Sequence, residues 1–287
     1  EADLGIFDHA IVSGLDLKVA ANGTGVYGQG NKTPVYVYDG GSYVYQLRYS
    51  STEESGNLKN IVLYDNLEVA VPQEANAGDE VWRGVFTGID VSAMRAAGAN
   101  PVVYYAVKDV DLSKKESPDL NLSDGTVWST TPPSDLSQVR AVAVDVSRAA
   151  DGSEFTLAQG KSVSALVYMQ APRAEDLAKA SGREATDCYD SDAAPEVGFT
   201  GGAHAYNASV ATFEYASGDK QYAQSATTKV GLTEYALTVE KKWDDGGDAD
   251  FIRPSEVKIE LLANGVHTGR FATLASSNNW KETFNGV

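Results

Sequence analysis

What most constrains this 287-residue chain is a two-residue alternation of aromatic or β-branched side chains with polar ones. Pro34 to Tyr49 reads PVYVYDGGSYVYQLRY. A period of two puts every second side chain on one face of an extended strand and cannot build the apolar stripe of a helix. The two runs meet at Asp39, Gly40 and Gly41, turn chemistry that predicts an antiparallel hairpin there. Asn60 to Tyr64 (NIVLY), Pro101 to Val107 (PVVYYAV), Val139 to Val146 (VRAVAVDV) and Ser162 to Met169 (SVSALVYM) read as further strands. Helical patterns are confined to Val91 to Ala97, behind Asp90 as a cap, and Ala174 to Ala180, just after Pro172. Many strands divided by Gly, Asn, Asp and Ser turns, with few helices, predict an all-β fold of β-sandwiches.

A boundary is expected near Thr233 to Ala236. Gln221 to Leu232 (QYAQSATTKVGL) reads as the closing strand of a large first domain, and a fresh pattern starts at Leu237. The division is 1–234 and 235–287. The second part is short for a sandwich of ordinary size, so its last strands are expected beyond Val287. Asp109 to Pro133, polar and rich in Ser, Asp and Pro, reads as a long surface excursion.

Forty acidic against 23 basic residues give a net charge of −17. That balance disfavours nucleic acid and anionic membrane surfaces as partners. No run approaches the about 20 apolar residues of a membrane helix, so no membrane insertion is expected. The opening EADLGIFDHA is not a signal peptide. One cysteine, Cys188, leaves no internal disulfide and no cysteine-based zinc cluster.

Residues 237–287 resemble a Cna B-type domain, the small sandwich repeated in the stalks of Gram-positive adhesins and pilins. The residues that carry the resemblance are VEKKWDD (239–245), FIRPSEVKIELLANG (251–265), the NNW of 278–280 and KETF after it. The first domain resembles the large surface modules that precede such repeats. It does so through YVYQLRYSSTEESGNLKNIVLYDNLEV (43–69), WRGVFTGID (82–90) and VRAVAVDVS (139–147). The resemblance implies a monomeric segment of a longer structural or adhesive protein at the bacterial cell surface. Its partner would be a host extracellular protein or a glycan, and it would need no cofactor.

The resemblance also implies an intramolecular isopeptide bond between a lysine amine and an asparagine side chain, made once and not a turnover reaction. Burial pushes a lysine toward the neutral amine and holds a neighbouring carboxyl protonated, which together activate the amide. For the second domain the candidate nucleophile is Lys241, two residues before Trp243; the alternative is a solvated lysine lying past that ring. For the first domain the candidates are Lys18, Asp65 as the acid, and Asn207. Asp65 shares a strand face with Ile61, Leu63 and Leu67, and its plain alternative is a turn cap. Lys18 is out of phase with Leu15, Leu17 and Val19 and faces solvent unless a bulge intervenes. For Asn207 the alternative is turn or edge-strand duty.

Other features point to no site. Asp244, Asp245, Asp248 and Asp250 read as a solvated acidic turn, without the fixed Gly and distal Glu of a calcium loop. His9, His204 and His267 are scattered, read as surface residues, and give no metal site. Cys188 lies in an acidic stretch that blunts its reactivity. The competing functional reading is a carbohydrate-binding or carbohydrate-active sandwich, with Trp82 and Trp128 stacking sugars.

Overall fold

The computed structural model describes residues 14–21, 23–28, 34–68, 80–182, 203–233, 236–244, 253–263 and 265–285. It is all-β, and the chain divides into two units, Glu1–Thr233 and Glu234–Val287. The larger contains β1 (Leu15–Ala21), β2 (Val35–Tyr38), β3 (Ser42–Ser50), β4 (Leu58–Asp65), β5 (Glu80–Val81), β6 (Val85–Asp90) and β7 (Val102–Ala106). It continues with β8 (Ala141–Asp145), β9 (Thr156–Leu157), β10 (Ser162–Gln170), β11 (Ala203–Asn207), β12 (Ser209–Tyr215), β13 (Lys220–Gln224) and β14 (Thr228–Thr233). Among the described residues two short α-helices interrupt them, α1 (Ser92–Ala96) and α2 (Ala174–Ser181), where the sequence pattern puts them.

The strands form three sheets, ordered β1-β3-β10-β6, β2-β14-β11-β5 and β13-β12-β4-β8-β7, with β9 also paired to β4. Inward residues from all three meet in one core that includes Val19, Val37, Tyr45, Leu47, Ile61, Leu63, Val144, Val167, Ala205 and Val230. Alternation is what directs them there: β3 buries Tyr43, Tyr45, Leu47 and Tyr49 and turns the residues between toward the other face.

Three expectations are corrected. The turn at Asp39 to Gly41 exists, with Gly40 in the left-handed region (φ 63) and a Gly41 N–H bond to Tyr38. It does not close a hairpin, however, because β2 pairs in parallel with β14 while β3 pairs with β1 and β10. The runs on either side each carry an inward face, and the turn delivers those faces to one core from different sheets. The stretch 221–232 is likewise two strands, β13 and β14, in different sheets. The excursion after β7 is not a bare surface loop: Val110, Leu112 and Trp128 bury against Tyr64, Ala143 and Val210, on the other side of the large sheet from the main core.

The smaller unit contains β15 (Ala236–Glu240), β16 (Glu256–Ala263), β17 (Val266–Ala275) and β18 (Lys281–Asn285), paired as β15-β18 and β16-β17. Ala272, Leu274 and Phe284 are its buried apolar residues among those described. No helix among the described residues is long and apolar enough to cross a membrane.

Candidate functional site

A buried polar cluster lies where β4 ends and β11 gives way to β12. After Asn60, which takes a left-handed conformation (φ 49), Ile61, Leu63 and Asp65 alternate into the core and Tyr64 faces the other way. Asp65 is fully buried. Asn207 ends β11, and after Ala208 the chain enters the neighbouring sheet as β12, whose Ser209 is the register partner of Asp65. The corner thus lays Asn207 beside Asp65, and its Nδ2 donates to Asp65 Oδ2 at 3.0 Å. Asp65 Oδ1 accepts from the Leu67 N–H at 2.8 Å, so the turn-cap role is fulfilled as well, by a carboxylate no water reaches.

A second acid, unanticipated from the sequence, completes the cluster. Glu68 is 2% exposed. Its Oε1 accepts from the Tyr43 hydroxyl at 2.5 Å and the Tyr45 hydroxyl at 2.8 Å, and its Oε2 from the Gly84 N–H at 2.6 Å. Arg83 braces the turn by donating to the carbonyls of Leu67 (2.8 Å), Asn66 (3.0 Å) and Arg140 (3.1 Å), while Nη1 meets Asp109 Oδ1 at 2.6 Å. The sequence did carry a signal: two acids flank buried Leu67, downstream of a YVY run whose two tyrosines share a face.

Burial pushes the Asp65 carboxyl up to about 7; the Leu67 and Asn207 hydrogen bonds and Arg83 resist the rise, and Glu68 adds to it. Burial raises Glu68 too, against the hydrogen bonds from Tyr43, Gly84 and Tyr45. Both tyrosines are driven well above their usual range by burial, then by the Glu68 charge. An acid poised near neutrality against the nitrogen of a buried amide can take a proton and return it.

Lys18 is not brought to this pair. β1 runs against β3 in unbroken register, with Leu17 opposite Leu47 and Val19 opposite Tyr45, so Lys18 stands opposite Gln46 on the other face. Its amine sits 3.2 Å from Asp16. The backbone of β1 nevertheless passes the site: the Leu17 carbonyl accepts from Thr228 Oγ1, and Thr228 is the register partner of Asn207. Asn207 itself is buried; of its two alternative roles, edge-strand duty is corrected, because β11 lies between β14 and β5, whereas its place at the corner before β12 fits turn duty.

In the smaller unit Lys241 and Trp243 share a half-buried face, between exposed Lys242 and Asp244. The Lys241 amine lies 4.4 Å from the centroid of the Trp243 ring and donates to the Lys242 carbonyl at 3.0 Å. Trp243 meets Trp280 edge-on at 5.1 Å.

Two readings fail on burial. Trp82 and Trp128 are each 3% exposed, so neither offers a stacking face to a sugar; Trp128 Nε1 is committed to the Asp119 carbonyl at 2.8 Å. His204 is buried against Tyr206, whereas His267 is exposed beside Glu260. No group of three or more His, Cys, Asp or Glu among the described residues is arranged to hold a metal ion. His9, Cys188, Asp245, Asp248 and Asp250 lie outside the described residues.

Residues 237–287 match the family model of the Cna protein B-type domain. The chain is 44% identical over 61 residues to the collagen adhesin of Staphylococcus aureus, an alignment covering 21% of this chain and 5% of that protein. Among solved structures it is similar to BcpA, the major pilin subunit of Bacillus cereus (14% identity, 95% of this chain, 55% of that one, TM-score 0.37). It is also similar to the full-length major pilin SpaD of Corynebacterium diphtheriae (12% identity, 94% of this chain, 49% of that one, TM-score 0.28). The chain therefore spans only part of the length of each of these relatives.

Proposed function

We propose that this chain is a structural and adhesive segment of a Gram-positive cell-surface protein, with no turnover enzyme activity. Its larger unit matures by one isopeptide bond between Lys18 and Asn207, with Asp65 as the acid. The observation that carries the reading is the buried hydrogen bond from the Asn207 side-chain amide to Asp65, which sets an acid that burial inclines to keep its proton against the nitrogen of that amide. The Cna B-type match at residues 237–287 and the adhesin relative support the surface assignment. The same chemistry is assigned to Lys241 in the smaller unit, with its acid and amide not among the residues described. Either unit could present a surface to a host extracellular protein or glycan.

For the Lys18 bond to form, β1 must slip one residue against β3, which would exchange Lys18 for a core-facing neighbour. β1 is an edge strand of its sheet, so the slip has to shift its ladder with β3 and release the two backbone hydrogen bonds that Val19 exchanges with Gly28. Intact mass at isotopic resolution tests the reading. A chain lighter by one ammonia, restored to the plain sequence mass by Lys18→Ala, Asp65→Ala or Asn207→Ala, is expected. A wild-type chain at the plain mass refutes the bond, and mass loss that survives Lys18→Ala refutes the nucleophile.

A further inference from the structure

The turn after β4 is unusual on its backbone alone. Leu67 (φ 45) and Glu68 (φ 70) both occupy the left-handed region, and both are buried. Side chains bearing a Cβ avoid that region, and a consecutive pair persists only where the surroundings over-determine it. Here they do. Arg83 holds the carbonyls of Asn66 and Leu67, Asp65 holds the Leu67 N–H, and the Glu68 carboxylate is fixed by two tyrosine hydroxyls and the Gly84 N–H. The last contact requires glycine at 84, because a Cβ there would lie 2.0 Å from Tyr43 Oη and 2.9 Å from the Gln170 carbonyl.

What this bracing delivers is one N–H. The Glu68 amide donates to Asn207 Oδ1 at 3.1 Å, while Asp65 takes the other end of the same side chain. The amide is gripped at oxygen by a donor and at nitrogen by a carboxyl. We infer that the 66–68 turn is an oxyanion site for the Asn207 side chain: the Glu68 backbone N–H receives the charge on Oδ1, and the Glu68 carboxylate is the positioning group that keeps that N–H aimed. The inference rests on the reading that Asn207 is cross-linked.

The step balances without an added reagent. The neutral lysine amine attacks Cγ, the Nζ–Cγ bond forms, and an electron pair moves onto Oδ1 opposite the Glu68 N–H. Asp65 carries a proton from Nζ to Nδ2. The Cγ–Nδ2 bond then breaks, Oδ1 returns to a carbonyl, and ammonia leaves. A preorganised donor to such an oxygen typically accounts for roughly 100- to 1,000-fold in rate.

The test is a time course of ammonia loss by intact mass, on the full chain made by cell-free synthesis and sampled from pH 6 to pH 8. Replacing residue 68 by the α-hydroxy analogue of glutamate turns that N–H into an ester oxygen and keeps the side chain. It should slow linkage roughly 100-fold and leave its pH profile in place. Glu68→Gln should slow linkage by roughly tenfold to a hundredfold and move the profile to lower pH, since a negative neighbour of Asp65 is gone. A merely structural Glu68 would not move that profile. Tyr45→Phe, which removes one clamp, should slow it less than either. An ester chain that links at the wild-type rate overturns the oxyanion site. Should the ester chain not fold, Glu68→Gln linking at the wild-type rate with an unmoved profile overturns the inference alone. A wild-type chain that never loses ammonia overturns it together with the cross-link reading.

Discussion

The two units place their polar groups in opposite ways. The larger buries an acid and an amide against each other and turns its neighbouring lysine outward, to Asp16. The Cna B-type unit lays a lysine along a half-buried tryptophan, with neither acid nor amide beside it among the described residues. The difference follows from solvation. A neutral amide and a carboxyl that can keep its proton tolerate a dry core once hydrogen-bonded, whereas an ammonium there is very costly without a partner. A lysine that is still an ammonium therefore belongs at a rim, over water or over an aromatic face, and becomes a core group only after it loses its charge.

The sharpest way to break this contrast is to remove the space that holds the buried half together. Gly84→Ala forces a methyl group into Tyr43 Oη and the Gln170 carbonyl; denaturant titration of the full chain should show a loss of about 3 kcal/mol or more in the larger unit. A tolerated alanine would mean the clamp on Glu68 is loose.

Acidity comes next, measured in a Lys18→Ala chain so that no cross-link intervenes. The Asp65 carboxyl titrates near 3.8 when unfolded and near 7 when folded, so between those values the folded chain holds a proton the unfolded chain has lost. Stability should then fall as pH rises through that window, by roughly 4 kcal/mol in all, and be level above it. Glu68 acts in the same direction. Asp65→Asn should flatten most of the slope, and a slope of opposite sign would show that the acid is ionised and stabilised in the fold.

In the smaller unit the same kind of substitution should matter little. Lys241→Ala removes an amine over a half-exposed ring, and hydrogen exchange across β15 and β18 should report a loss of about 0.5–1 kcal/mol. The smallest effect is expected at Ser209, whose buried hydroxyl has no hydrogen-bond partner although its backbone pairs with Asp65. Ser209→Ala should be neutral or slightly stabilising in a thermal melt, and a clear loss would reveal a contact to the acid.

Period-two alternation was enough to read the strands, and phase was enough to turn Asp65 inward and Lys18 outward. Pairing was harder, because a turn looks the same whether it closes a hairpin or carries the chain to another sheet, as at Asp39 to Gly41. Asp65 and Asn207 were legible as candidates through the family resemblance, but their pairing was not, for a related reason. Asn207 is placed by the register of the strand that follows it, against a strand 142 residues earlier. Glu68 falls one turn beyond the readable strand, in a conformation that no periodicity encodes. Trp82, Trp128 and His204 were misjudged because composition gives the kind of side chain and not which layer covers it.

Asn207 closes a strand of one sheet and meets an acid on a strand of another, with Ala208 as the corner between them. Neither sheet alone can assemble the pair, and in a half-finished chain the amide is solvated and inert. Whatever covalent change occurs there is therefore dated: it comes after both sheets have closed, and it cannot be undone by their reopening. A bond formed at that corner would be a permanent record that the molecule carrying it once reached its native topology.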